Sequence, residues 1–445
     1  MASITKRGDT FRITISLGVD GTGKRLRHTE TFTPTKTGKA AEREAKHYAE
    51  VLEEQYRKGV LTISENIEYA DFCKRWYDNW AIDKLKQNQA EAYLSSLELH
   101  VIPVLGKMRL NSIRKKDCQQ VIDKVKERGL APKTQRAIAS AMHSTFRYAL
   151  RLDLISIDPC STLDLQSLKK AEKIKCFDVE QSQRFLSCLS MKFPQKMGGR
   201  KRKDSNGKEY TVKPYVRYVE IPFAFQVFFH LSLLGGFRRA ELVALNWSDV
   251  DFTNRTIKID KSMIKTKKYG QIISTPKTPS SYRTVYLPQN CIDMLEELLD
   301  MQKEQCVCSN WKGMPLDQIM DNPIFTQQDG TRMFLDSPTA KFAKIITAFN
   351  SYIEEQAELL PTEEMRKLKL QEKLPEITLH DLRHSFCTIL IASGVDVVTV
   401  SKLAGHSSPS VTADIYSHLL RKNAKDAAMT FEKIFTPSKQ SELRA

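Results

Sequence analysis

The sequence predicts a multidomain α+β protein: a small amino-terminal β-sheet with one helix, then a helical domain, then a mixed, mainly α domain. Three observations carry that prediction. Apolar residues alternate at Phe11, Ile13, Ile15 and Leu17, the period of a half-buried strand. From about residue 66 to 159 apolar and aromatic residues recur every three or four positions, the period of an amphipathic helix. From residue 176 to 435 both periods are interleaved. The length of 445 residues leaves room for about three domains, expected at 1–60, 66–165 and 176–435.

Within the first module, Arg12, Thr14 and Ser16 occupy the alternate positions of the strand, and Asp20-Gly21-Thr22-Gly23 is a turn into a second strand ending near Phe32. One face of this sheet is expected on an Ala-rich helix from about Gly38 to Arg57, and the other turns Arg12, Arg25 and Arg27 outward. Eight basic residues stand against three acidic ones in the first forty. That face suits a DNA groove, and it equally suits plain solvation.

In the helical region Tyr69, Phe72, Trp76 and Trp80 form one stripe. A second helix runs from Ala90 to His100 and is expected to break at Pro103 and Gly106. A third begins near Lys115, with its cap in the Ser112 region, and a fourth runs from Pro132 to Leu152 with Ile138, Met142, Phe146 and Leu150 inward. The aromatic positions are assigned to packing rather than to base stacking. Asp158 to Lys175 reads as a linker.

The last region predicts helices at Asp178–Ser190, Ile221–Leu234 and Ile292–Lys303, and strands at Thr256–Ile259 and Arg283–Leu287. Residues 196–214, with seven basic residues, several glycines and little to bury, read as a mobile surface loop able to touch phosphate. Residues 352–374 read as an added surface helix.

Composition narrows the function. With 41% hydrophobic and 27% charged residues the chain is neither collagen-like nor low-complexity. The most apolar stretch, Ile221 to Leu234, is interrupted by Gln226, His230 and Ser232 and is too short for a bilayer. The opening MASITKRGDTFRI lacks a secretory apolar run, so the cytoplasm is expected, with the nine cysteines as thiols. Cys306 and Cys308 form the one close pair and have no second pair at metal-ligand spacing, which leaves zinc a remote alternative. The formal charge of +16 favours a polyanion, nucleic acid above all, against the alternative that it only aids solubility.

Chemistry-bearing residues fall in three boxes. Gly235-Gly236-Phe237-Arg238-Arg239-Ala240-Glu241-Leu242 ends an apolar helix and starts another, placing Arg238 at a helix start with Glu241 one turn on, able to orient it. A guanidinium fork donates two hydrogen bonds to a phosphodiester and offsets the charge that grows in its transition state. Alone, Arg-x-x-Glu is a common surface ion pair. It gains weight from His380-Asp381-Leu382-Arg383-His384-Ser385-Phe386, which adds a second guanidinium with an imidazole, and from Leu403-Ala404-Gly405-His406-Ser407-Ser408, with Tyr416 ten residues past His406. Two arginines, two histidines and a tyrosine form a phosphoryl-transfer set without the Asp/Glu cluster of a two-metal nuclease.

These boxes, in this order, resemble the tyrosine recombinase family, the integrases of phages and conjugative transposons. His100 to Gly106 looks like part of that family's core-site-binding domain and the amino-terminal sheet like its arm-site-binding domain, so the resemblance spans nearly the whole chain. It implies that Tyr416 attacks a DNA phosphate to give a 3′-phosphotyrosine, that Arg238 and Arg383 clamp the phosphate, that His406 donates to it and that His380 assists proton removal from Tyr416. It places the general acid on a lysine in a hairpin turn, where Lys277 fits, with Lys265, Lys267 and Lys268 as rivals. Asp381 and His384 can serve simply as braces of their helix. It further implies no cofactor, a homo-tetramer on double-stranded attachment sites, a Holliday junction, an accessory DNA-bending or excision factor, and docking of the Ala427, Phe431, Ile434 and Phe435 stripe on a neighbouring protomer. The rival functions are a DNA-binding regulator without chemistry and a type IB topoisomerase.

Overall fold

The computed structural model describes residues 2–19, 25–57, 67–167, 175–197, 200–203, 209–267, 269–275, 282–406 and 408. The chain divides into two compact units, Met1–Ala171 and Glu172–Ala445.

The first unit contains separate cores. Strands Ser3–Arg7, Thr10–Val19 and Arg25–Phe32 make an antiparallel sheet in sequence order, so one strand precedes the two read from the alternation. Phe11, Ile13 and Ile15 are buried on one face against Ala41, Ala45, Ala49 and Leu52 of the helix Lys39–Arg57. The small alanine side chains let the helix lie close to the sheet, and Tyr48 stacks on Phe32 at 4.6 Å. Arg12 and Arg27 are exposed, and Arg27 sits opposite Ser16 in the register, which puts it on the same outward face as Arg12. The side chain of Arg25 and the expected turn at 20–23 lie outside the described residues.

The helical part packs Tyr69, Phe72, Trp76, Leu97, Val101, Ile122, Met142 and Phe146 into one core, with the Tyr69 hydroxyl sharing a 2.7 Å hydrogen bond with Thr145. Two expectations fail here. The helix that starts at Gln87 does not break at Pro103 but continues through a wide turn at Leu97–Val101 and a last turn at Ile102–Leu105, ending at Gly106. The wide turn shifts the hydrogen-bond register, so the carbonyl that a proline ring would strike is no longer in the way. The helix Lys115–Glu127 is capped not from Ser112 but by Asp117, whose carboxylate accepts the Arg114 N–H at 2.8 Å, while the Ser112 hydroxyl donates to the Arg109 carbonyl. In the helix Pro132–Arg151, Ala149 rather than Leu150 completes the buried face.

In the second unit the helix Val179–Cys188 starts from a reciprocal cap between Asp178 and Gln181. The helix Phe223–Leu234 is buried along Val227, Phe228, Phe229, Leu231 and Leu233. A three-stranded antiparallel sheet joins Val250–Asp251, Thr256–Ile259 and Arg283–Tyr286, with Val285 opposite Ile257, and a separate hairpin pairs Ser262–Thr266 with Gly270–Ser274. The helices Gln289–Gln305 and Ser337–Glu358 pack on this core, where Gln302 is buried and accepts the Trp247 indole N–H at 2.7 Å.

Both segments set apart in the sequence differ from expectation. Most of the described residues of 196–214 lie in paired strands, Lys192–Met197 with Tyr215–Glu220 and Arg200–Lys203 with Glu209–Val212, while 198–199 and 204–208 lie outside the described residues. The strand preference of Tyr210, Val212, Val216 and Tyr218, and the anchoring of Phe193 against Phe349 and Tyr352, outweigh the glycine and lysine content. Residues 352–374 are not one added surface helix. Ile353 and Ala357 are buried in the last turns of Ser337–Glu358, and a separate exposed helix, Glu363–Leu370, follows Pro361 and is capped by Thr362.

Candidate active site

Three short segments of the second unit build the site. The first is the Gly235–Gly236 turn after the buried helix. Gly236 has φ of +62°, and a side chain there would strike the Phe386 ring at 2.4 Å, so a glycine is needed twice over. Arg238 follows as the cap of the helix Arg239–Ala244, and the sequence expectation that it sits at a helix start holds. Its backbone N–H donates to Glu241 Oε2 at 2.9 Å and its guanidinium Nη1 to Glu241 Oε1 at 2.8 Å. Glu241 therefore orients Arg238, as expected from the spacing. The far end of the same helix is closed by Arg332, which donates to the Val243 and Leu245 carbonyls at 2.8 and 3.0 Å.

The second segment is the helix Asp381–Ala392. Thr378 donates its N–H and its hydroxyl to Asp381 Oδ2, both at 2.7 Å, so Asp381 braces the helix start. His380 and Arg383 fall at that start, with the His380 and His384 rings edge to face at 5.1 Å. Ser385 ties the helix to the beginning of the unit by accepting the Phe177 N–H at 2.9 Å. Arg383 is 2% exposed. Its Nη1 donates to the Gly236 carbonyl at 2.7 Å, while Nη2 is buried with no hydrogen-bond partner among the described residues.

The third segment is the turn that ends the helix Val397–Ala404. Gly405 takes φ +63° and ψ +47°, and the His406 N–H returns to the Ser401 carbonyl at 3.0 Å, a helix stop that projects His406 away from the helix. Arg238 Nη2 donates to the Gly405 carbonyl at 2.6 Å, which joins the first box to the third.

The electrostatics follow from this crowding. Burial, then the charges of Arg383 and Arg238, push His406 down to about 3. Burial, then His384 and Arg383, push His380 down to about 4. Both imidazoles are therefore neutral near pH 7, each with one nitrogen to donate and one to accept. Burial also lowers Arg383 to about 9, with Arg238 adding to the effect. Burial works to raise Glu241, but the Arg283 and Arg238 guanidiniums outweigh it and hold the carboxylate at about 2. Among the described residues the cations of this pocket outnumber its carboxylates, so it suits an anion. A phosphodiester oxygen would complete Arg383 Nη2 and relieve the repulsion among the cations.

Four of the six expected catalytic residues, Arg238, His380, Arg383 and His406, are brought together. Lys277 and Tyr416 lie outside the described residues, as does the 427–435 stripe. Of the rival lysines, Lys265 is paired with Asp336 at 2.8 Å and Lys268 is not described. One residue was missed. Arg283 Nη1 and Nη2 donate to the two oxygens of Glu241 at 3.0 and 2.8 Å, and its Nε donates to the Leu403 carbonyl at 2.9 Å. The signal was available, since Arg283 shares a strand face with the buried Val285 and an inward arginine needs a buried partner. Among the described residues no group of three or more His, Cys, Asp or Glu is placed to hold a metal ion, and no helix is long and apolar enough to cross a membrane.

The second unit thus gathers Arg238, Arg383, His380 and His406 in a buried, cation-rich pocket within a mainly helical unit that carries a small sheet. The phage integrase family model matches residues 219–423, and the model for the phage integrase N-terminal SAM-like domain matches residues 69–126. The chain belongs to the phage integrase family, the tyrosine recombinases. It is 23% identical to a tyrosine recombinase XerC-like protein of Caldanaerobacter subterraneus subsp. tengcongensis, with 96% of each chain covered. It is 24% identical to the ICEBs1 integrase of Bacillus subtilis, with 94% of this chain and 95% of that protein covered. Its fold is similar to that of the Tn1549 transposon integrase solved with transposon right-end DNA, with a TM-score of 0.58 at 20% identity over 81% of this chain and all of the other.

Proposed function

We propose that this chain is a site-specific DNA recombinase that integrates and excises a mobile element, working in the cytoplasm on double-stranded attachment sites. The phenol oxygen of Tyr416 attacks the scissile phosphorus, the bond to the 5′ oxygen breaks, and a 3′-phosphotyrosine and a free 5′-hydroxyl result. His380 takes the phenol proton and Lys277 protonates the leaving 5′ oxygen. Arg238, Arg383 and His406 hold the nonbridging oxygens as charge builds on them. Attack by the 5′-hydroxyl of the partner DNA reverses the step on the new strand. The phosphotyrosine keeps the bond energy, so rejoining needs no nucleotide co-substrate. Two exchanges pass through a Holliday junction within a tetramer, with the 427–435 stripe docking between protomers. Residues 1–60 bind arm sites through Arg12, Arg25 and Arg27, residues 66–165 bind the core site, residues 176–435 catalyse, and an accessory DNA-bending or excision factor sets direction.

The observation that carries this reading is Arg383, a nearly fully buried guanidinium whose Nη2 has no hydrogen-bond partner among the described residues, beside Arg238 and two neutral imidazoles. The test is a nicked suicide substrate carrying the element's attachment site. A covalent protein–DNA adduct on that site and not on unrelated DNA is expected. No adduct would point to a regulator, and an adduct on any duplex would point to a relaxing enzyme.

A further inference from the structure

Arg283 stands outside the reaction as written, yet it is held on every side. Its side chain is 7% exposed. The guanidinium lies 6.0 Å from the centre of the Phe237 ring. On the other side it meets the backbone of Gly405, where a Cβ would come within 2.9 Å of Nη1. Its fork takes both oxygens of Glu241 and its Nε takes the Leu403 carbonyl. Arg238 donates to the same Glu241 and to the carbonyl two residues further along, at Gly405. Two arginines from segments far apart in sequence thus grip one carboxylate and one helix-ending turn.

We propose that Arg283 is a positioning residue that engages Glu241 so that Arg238 keeps its charge for the phosphate, and that fixes the turn presenting His406. This rests on the proposed recombinase reaction. The physical argument is a competition. Glu241 is almost wholly buried, and a buried carboxylate must be paired. With Arg283 present, the two-pronged guanidinium pairing goes to Arg283, and the Arg238 guanidinium gives Glu241 only Nη1, beside the backbone N–H, while Nη2 reaches the turn. Without it, Arg238 is the remaining guanidinium on the carboxylate. A closed Arg238–Glu241 pair is neutral overall and turns its fork away from the phosphate. The same loss frees the Leu403 carbonyl, so the helix end that leads to His406 loses the tie that Arg283 makes between it and Glu241. Arg283 also keeps Glu241 ionised, since its hydrogen bond is the largest influence opposing burial there.

The test measures single-turnover cleavage of the suicide substrate and equilibrium binding of the core site, side by side, on the full chain. Arg283→Leu should cleave about 100-fold more slowly, while core-site affinity stays within about threefold because the phosphate contacts that supply most affinity are untouched. The second variant, Arg283→Leu with Glu241→Gln, removes the competing charge and should recover at least about tenfold of the lost rate, which a simple packing defect would not allow. Should Arg283→Leu not fold, Arg283→Lys carries the test, because an ammonium keeps the charge without the fork and should lose at least about tenfold in cleavage. Wild-type cleavage by Arg283→Leu or Arg283→Lys, or no recovery in the double variant, overturns the proposal. Failure of the underlying reaction is seen separately, as absence of adduct with the unaltered protein.

Discussion

The pocket around Arg383 and the outer face of the amino-terminal sheet hold the same kind of charge under opposite conditions. In the pocket, Arg238, Arg283 and Arg383 gather around the paired carboxylate of Glu241, and burial holds His380 and His406 neutral near pH 7. On the sheet, Arg12 and Arg27 stand in solvent, with threonine and serine as their cross-strand neighbours. Exposed charge is inexpensive and screened by salt, so it sets affinity and its salt dependence. Buried charge is costly and aimed, so it acts on the rate of a reaction more than on affinity. The difference teaches which readout each region should move.

The largest effect belongs to Arg383. Arg383→Ala should slow single-turnover cleavage by two to three orders of magnitude, about 3–4 kcal/mol of transition-state stabilisation, with little change in core-site binding by gel shift. A binding defect as large as the rate defect would erase the distinction between the regions. Next comes Gly405→Val. The φ of +63° disfavours any side chain there, and a Cβ meets the Arg283 guanidinium at 2.9 Å. Backbone strain of about 1–2 kcal/mol in thermal stability, with about a tenfold or greater loss of cleavage, is expected.

The pH dependence of stability is smaller and sharpens the comparison. His380, His406, His384 and His230 are all held below the ordinary imidazole range by burial. Below about pH 6.5 the unfolded chain binds protons that the folded pocket refuses, so stability is full above that value and falls towards pH 4. Glu241 adds a fall of the same sign only below its ordinary value, towards pH 2, outside this window. Melting temperatures should therefore drop between pH 7 and pH 5. His406→Asn should reduce that slope, and a core-site duplex should reduce it too by favouring protonated imidazole. The smallest effect lies on the sheet. Arg12→Ala and Arg27→Ala should each lower the slope of log affinity against log salt for arm-site DNA by about 1, with cleavage of an isolated core site unchanged.

What was legible in the sequence follows the same divide between local and distant causes. Arg238 with Glu241 and His380 with Arg383 are local arrangements, and each was read at its place because the partners lie three residues apart, whereas Gly405 and His406 were read only as part of a box and not as the stop that ends a helix. The alternation at Phe11, Ile13 and Ile15 likewise gave the buried face of the sheet. Arg283 was not read, because its partners lie 42 and 120 residues away and only the folded chain brings Glu241 and Leu403 to it. The strands at 192–220 were missed because their inner partner is Phe193 packed on Phe349 and Tyr352, a tertiary contact that composition does not register. Pro103 misled because a proline breaks a regular helix, and here the preceding turn is not regular.

The central claim is that the pocket holds one phosphate for attack by Tyr416. The most direct measurement digests the adduct formed on the suicide substrate and identifies the DNA-linked peptide by mass spectrometry, with Tyr416→Phe alongside. The account predicts that the linked peptide contains Tyr416, and that Tyr416→Phe binds the core site normally and forms no adduct. A linked peptide without Tyr416, or an undiminished adduct in Tyr416→Phe, would contradict it.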